Sequence, residues 1–356
     1  MAFTRASGYQ NLPSGNFVPT IFSQKVLKFF RRASVAEAIT NTDYAGEIEN
    51  FGDTVNIIKE PTITVRDYAR GTTVNTEELS DDQIQLTVDQ GNYFAFKVDD
   101  IEEAHSHVNF QSLASDRAAY RLADQYDQDV LGYLSGFKQS AISGAADTAN
   151  DVVNGSKAVT TAGSDELLSS MKLKKGDFGN ITTGSAGDHS IPLVARLPGA
   201  TALPTATASP LMVISRMSRL LDQQNVDTQG RWLVVDPVFI EILMDEDSRL
   251  LNSDFGGSGL QNGLVINNLH GFQVYTSNNL PSVGTGPDTT GTANQNTNFG
   301  VIVAGHSSAV ATAEQINKTE TYRDPDSFAD IVRGMHLYGR KILRPEAIVT
   351  AKYNAA

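Results

Sequence analysis

Two stretches with a hydrophobic period of two, followed by one with a period of about four, dominate the pattern of this chain. In the second stretch Ile84, Leu86 and Val88 alternate with Gln83, Gln85 and Thr87. Phe94, Phe96 and Val98 resume the alternation after Gly91, where a β-bulge is expected. The first stretch carries Val55 and Ile57, then Ile63 and Val65, with Pro61 between them. Proline cannot donate to a ladder, so this arm belongs on a sheet edge. The connection from Arg70-Gly71 to Asp81-Asp82 is polar and reads as a loose tip. Asp53 to Val98 therefore predicts a long hairpin, each arm extending roughly 50 Å at ~3.3 Å per residue. A two-stranded ribbon is marginal alone in water. Its apolar positions Ile57, Ile63, Val65, Ile84, Leu86 and Val88 are expected to lie on another copy of the chain.

The period then changes. Asp100-Ile101-Glu102-Glu103 reads as a capping box, and Ala118, Leu122, Tyr126, Val130 and Leu134 recur every fourth residue. This predicts a helix of roughly 50 Å with one apolar stripe, weakened at its end by Gly132 and Gly136. Upstream, Phe22, Val26, Phe29 or Phe30, and Ala33 predict a basic amphipathic helix that fades by Asn41. Downstream, residues 139–209 are rich in Ala, Gly, Ser and Thr and read as linker by composition. An α/β unit follows. Leu211 to Leu221 is an amphipathic helix with Arg216 and Arg219 exposed. Gly230 to Val235 is a buried strand stopped at Pro237, and Val238 to Met244 is a short helix. Strands are expected at Leu264–Ile266, Phe272–Tyr275, Val301–Ala304, Ala309–Glu314, Ile331–Leu343 and Ala347–Ala351.

Composition narrows the functional classes. The 356 residues are 40% hydrophobic, enough for a sizeable core, and include no cysteine, so disulfides and thiolate metal sites are excluded. No apolar run has membrane-spanning length, and the start MAFTRASGYQNLPSGNF lacks the pattern of a secretory signal. The net charge of −13 is uneven. Residues 1–36 hold Arg5, Lys25, Lys28, Arg31 and Arg32 and no acid; this +5 leaves −18 for the remainder. A body this acidic repels a phosphate backbone, which argues against general nucleic-acid binding. Lys25, Lys28, Arg31 and Arg32 read equally as a segment suited to touch DNA or an acidic partner and as a solvated helix face.

Candidate chemistry is sparse. Gly305-His306-Ser307-Ser308-Ala309 imitates a nucleophile elbow, and Asp330 and His336 follow in triad order. They follow too closely in sequence for the hydrolase fold, and no oxyanion loop precedes them, so a structural strand-turn is expected. His105 and His107 near Glu102 and Glu103 fit a polar helix start better than a zinc site. Asp245-Glu246-Asp247 with Asp254 lacks the spaced ligands of a calcium loop. No phosphate-binding glycine motif is present. No catalytic residue, cofactor or metal is expected.

The order of elements carries a resemblance. The stretches NTDYAGEIENFGDTV (41–55), FAFKVDDIEE (94–103), GRWLVVDP (230–237) and GFQVYTSNNLP (271–281), with Arg333–Lys341 and Arg344-Pro345-Glu346, resemble the major capsid proteins of tailed double-stranded-DNA bacteriophages. The resemblance implies an α+β chain with the Hong Kong 97-like fold. Residues 1–50 become an N-arm and 51–98 an extended E-loop. Residues 99–140 with 306–356 form a peripheral domain with a long spine helix, and 210–305 an axial domain. The Gly/Ser/Thr-rich segment 139–209 has no assigned place. The implied function is a structural subunit, not an enzyme, that assembles into hexamers and pentamers of an icosahedral head around double-stranded DNA. An encapsulin-type compartment shell is the alternative. Implied partners are copies of itself, a separate scaffolding protein (no scaffolding segment precedes the arm), a portal, non-specifically held DNA and, optionally, a decoration protein, with no membrane. The implied location is the virion, after assembly in the host cytoplasm. Lys59 and Lys97 lie in the hairpin region, but no motif assigns them to covalent cross-linking.

Overall fold

The computed structural model describes residues 34–44, 54–59, 63–71, 73, 76, 82–99, 110–136, 152–154, 157–159, 167–178, 190–193, 207–243, 268–283 and 298–355. A short helix Ala36–Ile39 comes first, then strands β1 (Thr54–Lys59) and β2 (Asp82–Asp99), then the long helix Phe110–Ser135. Strands β3 (Val152–Asn154) and β4 (Lys157–Val159) pair only with each other. Next are β5 (Ser190–Leu193), the helix Pro210–Gln223, β6 (Arg231–Val235) and the helix Pro237–Leu243. The chain closes with β7 (Asn268–Leu269), β8 (Phe272–Thr276), β9 (Ser282–Val283), β10 (Asn298–His306), β11 (Val310–Arg323), β12 (Ala329–Ile342) and β13 (Ile348–Ala355).

The alternating stretches build a four-stranded antiparallel sheet in the order β1-β2-β12-β11. β2 is shared along its length. Asp82 to Thr87 pair with β1, and Val88 to Asp99 pair with β12. This corrects the expectation of a ribbon with almost no support in its own chain. The closing strands supply ladder partners for the base of the second arm, because β12 continues the same alternation over 14 residues. The first arm is also shorter than its pattern suggests. Its ladder ends at Lys59, and residues 63–71 follow without strand pairing. β1 lies at the sheet edge, as the proline pattern predicts, although Pro61 itself lies outside the described residues.

The expected bulge exists, but two residues earlier than Gly91. Tyr338 faces Gln90 and Gly339 faces Val88, so Asp89 is the extra residue. The glycine that matters is on the opposite strand. A Cβ on Gly339 would stand 2.3 Å from the Thr87 carbonyl oxygen, so only glycine admits this backbone approach.

The long helix is described from Phe110; the capping box at 100–103 lies outside the described residues. Along its stripe Tyr126, Val130 and Leu134 are buried, while Ala118 and Leu122 are half-buried. Burial thus grows towards the C-terminus. There Gly136 adopts φ +70°, and the buried Lys172 ammonium donates to its carbonyl at 2.9 Å. A lysine suits the negative end of the helix dipole.

The α/β unit is a seven-stranded sheet, β5-β13-β10-β6-β8-β7 with β9 beside β10, parallel only at β5/β13 and β6/β8. Trp232, Val234, Val301 and Val303 share one core cluster with Tyr126, Val130 and Leu134 of the long helix. Leu233, Val235, Ile302 and Ala304 face the other way, against Val213, Met217 and Leu221 of the Pro210–Gln223 helix and Phe239. Cover on both faces is why Trp232 to Val235 reads as a continuous apolar run. Asp236 ends that strand and caps the next helix by accepting from the Phe239 N–H at 3.2 Å, and it accepts from Tyr353 Oη at 2.5 Å. Arg219 is exposed as expected, whereas Arg216 is half-buried over the Phe178 ring. The last strand crosses the division drawn from sequence: β13 lies not with β11 and β12 but beside β10 over eight residue pairs. Among the described residues no helix is long and apolar enough to cross a membrane.

Candidate assembly surfaces

The apolar ribbon residues divide into two groups. Leu86 and Val88 are buried by their own chain, in a cluster with Ala311 and Ala313 against which Val55, Ile57 and Leu337 pack. Ile84 is half-buried. These positions have little surface left for a neighbour. Ile63 and Val65, by contrast, are 69% and 94% exposed, and Ile58 and Tyr68 beside them are also bare. Four large apolar side chains bare within eleven residues of sequence form an unusual surface for an isolated soluble molecule.

A second exposed surface lies on the face of the four-stranded sheet turned away from the long helix. Tyr93 (80% exposed) faces Met335, Ala95 faces Arg333, and Lys97 faces Ile331. Polar pairs frame this face. Arg333 donates to Glu320 at 2.8 Å and stands over the Tyr322 ring, while Lys97 meets Asp324 at 2.6 Å. The Lys97 hydrogen bond, then those from Ser327 and the Asp326 N–H, hold the Asp324 carboxyl well below the usual carboxylate range. The turn following Asp324 carries the bare ring of Phe328.

Between these surfaces, polar side chains of the long helix fix the chain's separate segments, and the periodicity gave no sign of them. Buried Asp127 accepts from Ser34 Oγ (3.0 Å) and from the N–H groups of Val35 (2.9 Å) and Ala36 (2.7 Å). Its other oxygen takes Ser277 Oγ (3.2 Å) and Asn279 Nδ2 (2.8 Å). One carboxylate thus caps the Ala36–Ile39 helix and ties it to the turn after β8. Two residues further on, Asp129 accepts from Tyr338 Oη at 3.0 Å and pairs with Arg340, whose guanidinium covers the Tyr133 ring. The only sequence signal was the acidic interruption of an apolar helix at Asp127 and Asp129, since buried carboxylates need partners.

The residues that imitated a triad do not meet. His306 bonds Ser308 Oγ and the Gln229 carbonyl, and Gly305 is small because a Cβ would strike Trp232 at 2.8 Å. His336 is buried against Tyr126 and Tyr338, with Nε2 3.5 Å from Glu314 Oε1. Asp330 pairs with Arg323, six positions or about 20 Å along the strand from His336. His105, His107, the acidic cluster at 245–254, and Lys25, Lys28, Arg31 and Arg32 lie outside the described residues. Among the described residues no group of three or more acidic or histidine side chains is arranged to hold a metal.

A family model described as phage capsid protein matches residues 81–351, three quarters of the chain. The chain belongs to the phage capsid family. It is thus a capsid structural subunit of the virion, a member of a structural family, as its likeness to tailed-phage major capsid proteins implied. Solved structures agree on the fold. That of Mycobacterium phage Che8 is 24% identical, covers 95% of this chain and 97% of that one, and gives a TM-score of 0.64. The capsid of cyanophage P-SCSP1u is 18% identical over 96% and 93%, with a TM-score of 0.60. The bacteriophage PhiM1 mature capsid is 16% identical over 95% and 92%, also at 0.60. No curated protein matches the chain.

Proposed function

We propose that copies of this chain assemble into hexamers and pentamers of an icosahedral head that encloses double-stranded DNA. The observation that carries the reading is the set of bare apolar side chains Ile58, Ile63, Val65 and Tyr68 on a subunit that has a buried core of its own. A neighbour that buries this segment gains ~25 cal/mol for each Å² of apolar surface removed from water. Many such overlaps make a strong shell from weak single contacts. In this reading residues 1–50 are the N-arm and 51–98 the E-loop, with Ile63 and Val65 as its contacts. The long helix, β11 and β12 are the peripheral domain, and 210–305, joined by β13, the axial domain. Lys25, Lys28, Arg31 and Arg32 carry the basic side of the arm towards DNA or a scaffolding protein. The portal and any decoration protein are further partners, and assembly takes place in the host cytoplasm. The phage capsid family match favours a phage head over an encapsulin-type compartment.

Electron microscopy of the purified chain, alone and after expression with its neighbouring genes, tests the reading. Closed shells with capsomers are the expected result. A chain that stays monomeric in every setting, with the Ile58–Tyr68 segment protected from solvent by its own body, overturns it.

A further inference from the structure

The Asp127 carboxylate is 1% exposed, and its partners are five neutral donors. A carboxylate accepts about four hydrogen bonds, so these donors fill it. Its two oxygens serve different segments. Oδ1 holds Ser34, Val35 and Ala36, at the start of the short helix. Oδ2 holds Ser277 and Asn279, in the turn after β8. The Ser277 hydroxyl relays this second tie: it donates to Oδ2 at 3.2 Å and accepts from the Asn279 N–H at 3.1 Å.

Each segment has a further attachment downstream. The Asn41 N–H donates to the Val310 carbonyl at 2.8 Å, and Ser282 and Val283 of β9 pair with β10. Upstream of these fixed points, both segments rest on the same buried charge. Hydrogen bonds to a buried charge are strong because water is excluded. Lifting Ser34–Ala36 lets water reach the carboxylate, where it competes for Oδ2 and frees the group to turn. The contacts of Ser277 and Asn279 weaken in consequence. Loss of those contacts weakens the Ser34 side in the same way, since coupling between two sites is reciprocal. We propose that Asp127 couples docking of the chain at Ser34–Ala36 to docking of the turn Ser277–Asn279, so that the two seat and loosen together. The turn leads directly into β9 of the seven-stranded sheet. Whatever draws on the chain upstream of Ser34 is thereby felt at that sheet. The coupling is made within one chain, so it stands whether or not the shell reading holds.

Residue-resolved hydrogen–deuterium exchange on the full-length, unassembled chain, corrected for intrinsic rates, tests the coupling. Ser34→Asp sets a second negative charge against Oδ1. It is expected to speed exchange at Val35 and Ala36 and, across the carboxylate, roughly fivefold at Asn279, the lower end of ordinary coupling between sites. Asn279→Asp is expected to speed exchange at Val35 and Ala36 by a similar factor. In an Asp127→Asn background both cross-effects are expected to disappear. Effects confined to the mutated side overturn the proposal. Cross-effects that survive Asp127→Asn also overturn it, and assign the coupling to the apolar cluster that Val35, Ala36 and Leu280 share. If a charged variant or Asp127→Asn does not fold, the cycle of Ser34→Ala and Asn279→Ala reads the same coupling: non-additive effects on exchange support it and additive ones overturn it.

Discussion

The two large sheets solve opposite problems. The seven-stranded sheet has a helix on each face, and both sets of alternating side chains along β6 and β10 are buried. The four-stranded sheet has the long helix at one end of one face only. Its other face shows Tyr93 and Met335 to solvent, and the ribbon beyond it leaves Ile63 and Val65 bare. Burial on both faces makes a unit that is stable by itself. Partial burial, with apolar residues left over, makes a unit whose energy is completed by a second molecule. The same chain therefore holds a self-sufficient body and an incomplete surface.

The sharpest way to break this contrast is to place the same charge in each region. Ile302→Asp buries an unpaired carboxylate between two covered layers and is expected to abolish soluble folded protein. Val65→Asp is expected to leave the circular dichroism and melting of the isolated chain unchanged while particle formation, followed by light scattering, is lost. Unfolding by Val65→Asp would refute the division. Truncation sharpens the same point: Leu233→Ala is expected to cost about 3 kcal/mol in denaturant unfolding. Ile63→Ala should stay within about 0.5 kcal/mol.

Between the regions, Asp127→Ala leaves a set of buried donors without their acceptor. It is expected to cost about 2 kcal/mol and to speed amide exchange at Val35 and Ala36. Gly339→Ala is expected to cost about 1–2 kcal/mol through its clash with Thr87. Gly91→Ala, where the nearest contact is Leu337 at 3.4 Å, serves as the mild control in the same thermal melts.

The smallest effect is one of pH. The His336 hydrogen bond holds the half-exposed Glu314 carboxyl below its ordinary value of 4.5. A carboxyl depressed by folding contributes stability above its unfolded value and loses it as pH falls through the folded one. Below pH 4.5 the stability of the native chain should therefore fall more steeply than that of Glu314→Gln, by less than about 1 kcal/mol at such an exposed site. Parallel melting curves from pH 6 to 3 would remove the pair from the account.

Local rules carried much of the architecture. The period of two announced β2, β11 and β12, the period near four announced the stripe of the long helix, and Trp232 to Val235 before Pro237 announced a buried strand ending at a helix start. Each depends only on neighbours along the chain, through side-chain alternation, helical pitch and the fixed φ of proline. Which strand lies beside which is another matter. That β2 changes partner from β1 to β12, that β13 joins β10, that the bulge falls opposite Gly339, and that Asp127 gathers donors from residues about 92 and 150 positions away are all long-range facts. The residues themselves announced a strand, a glycine and an acid. Only the closed structure, in which each buried polar group must find its partner and each ladder its mate, decided where they meet.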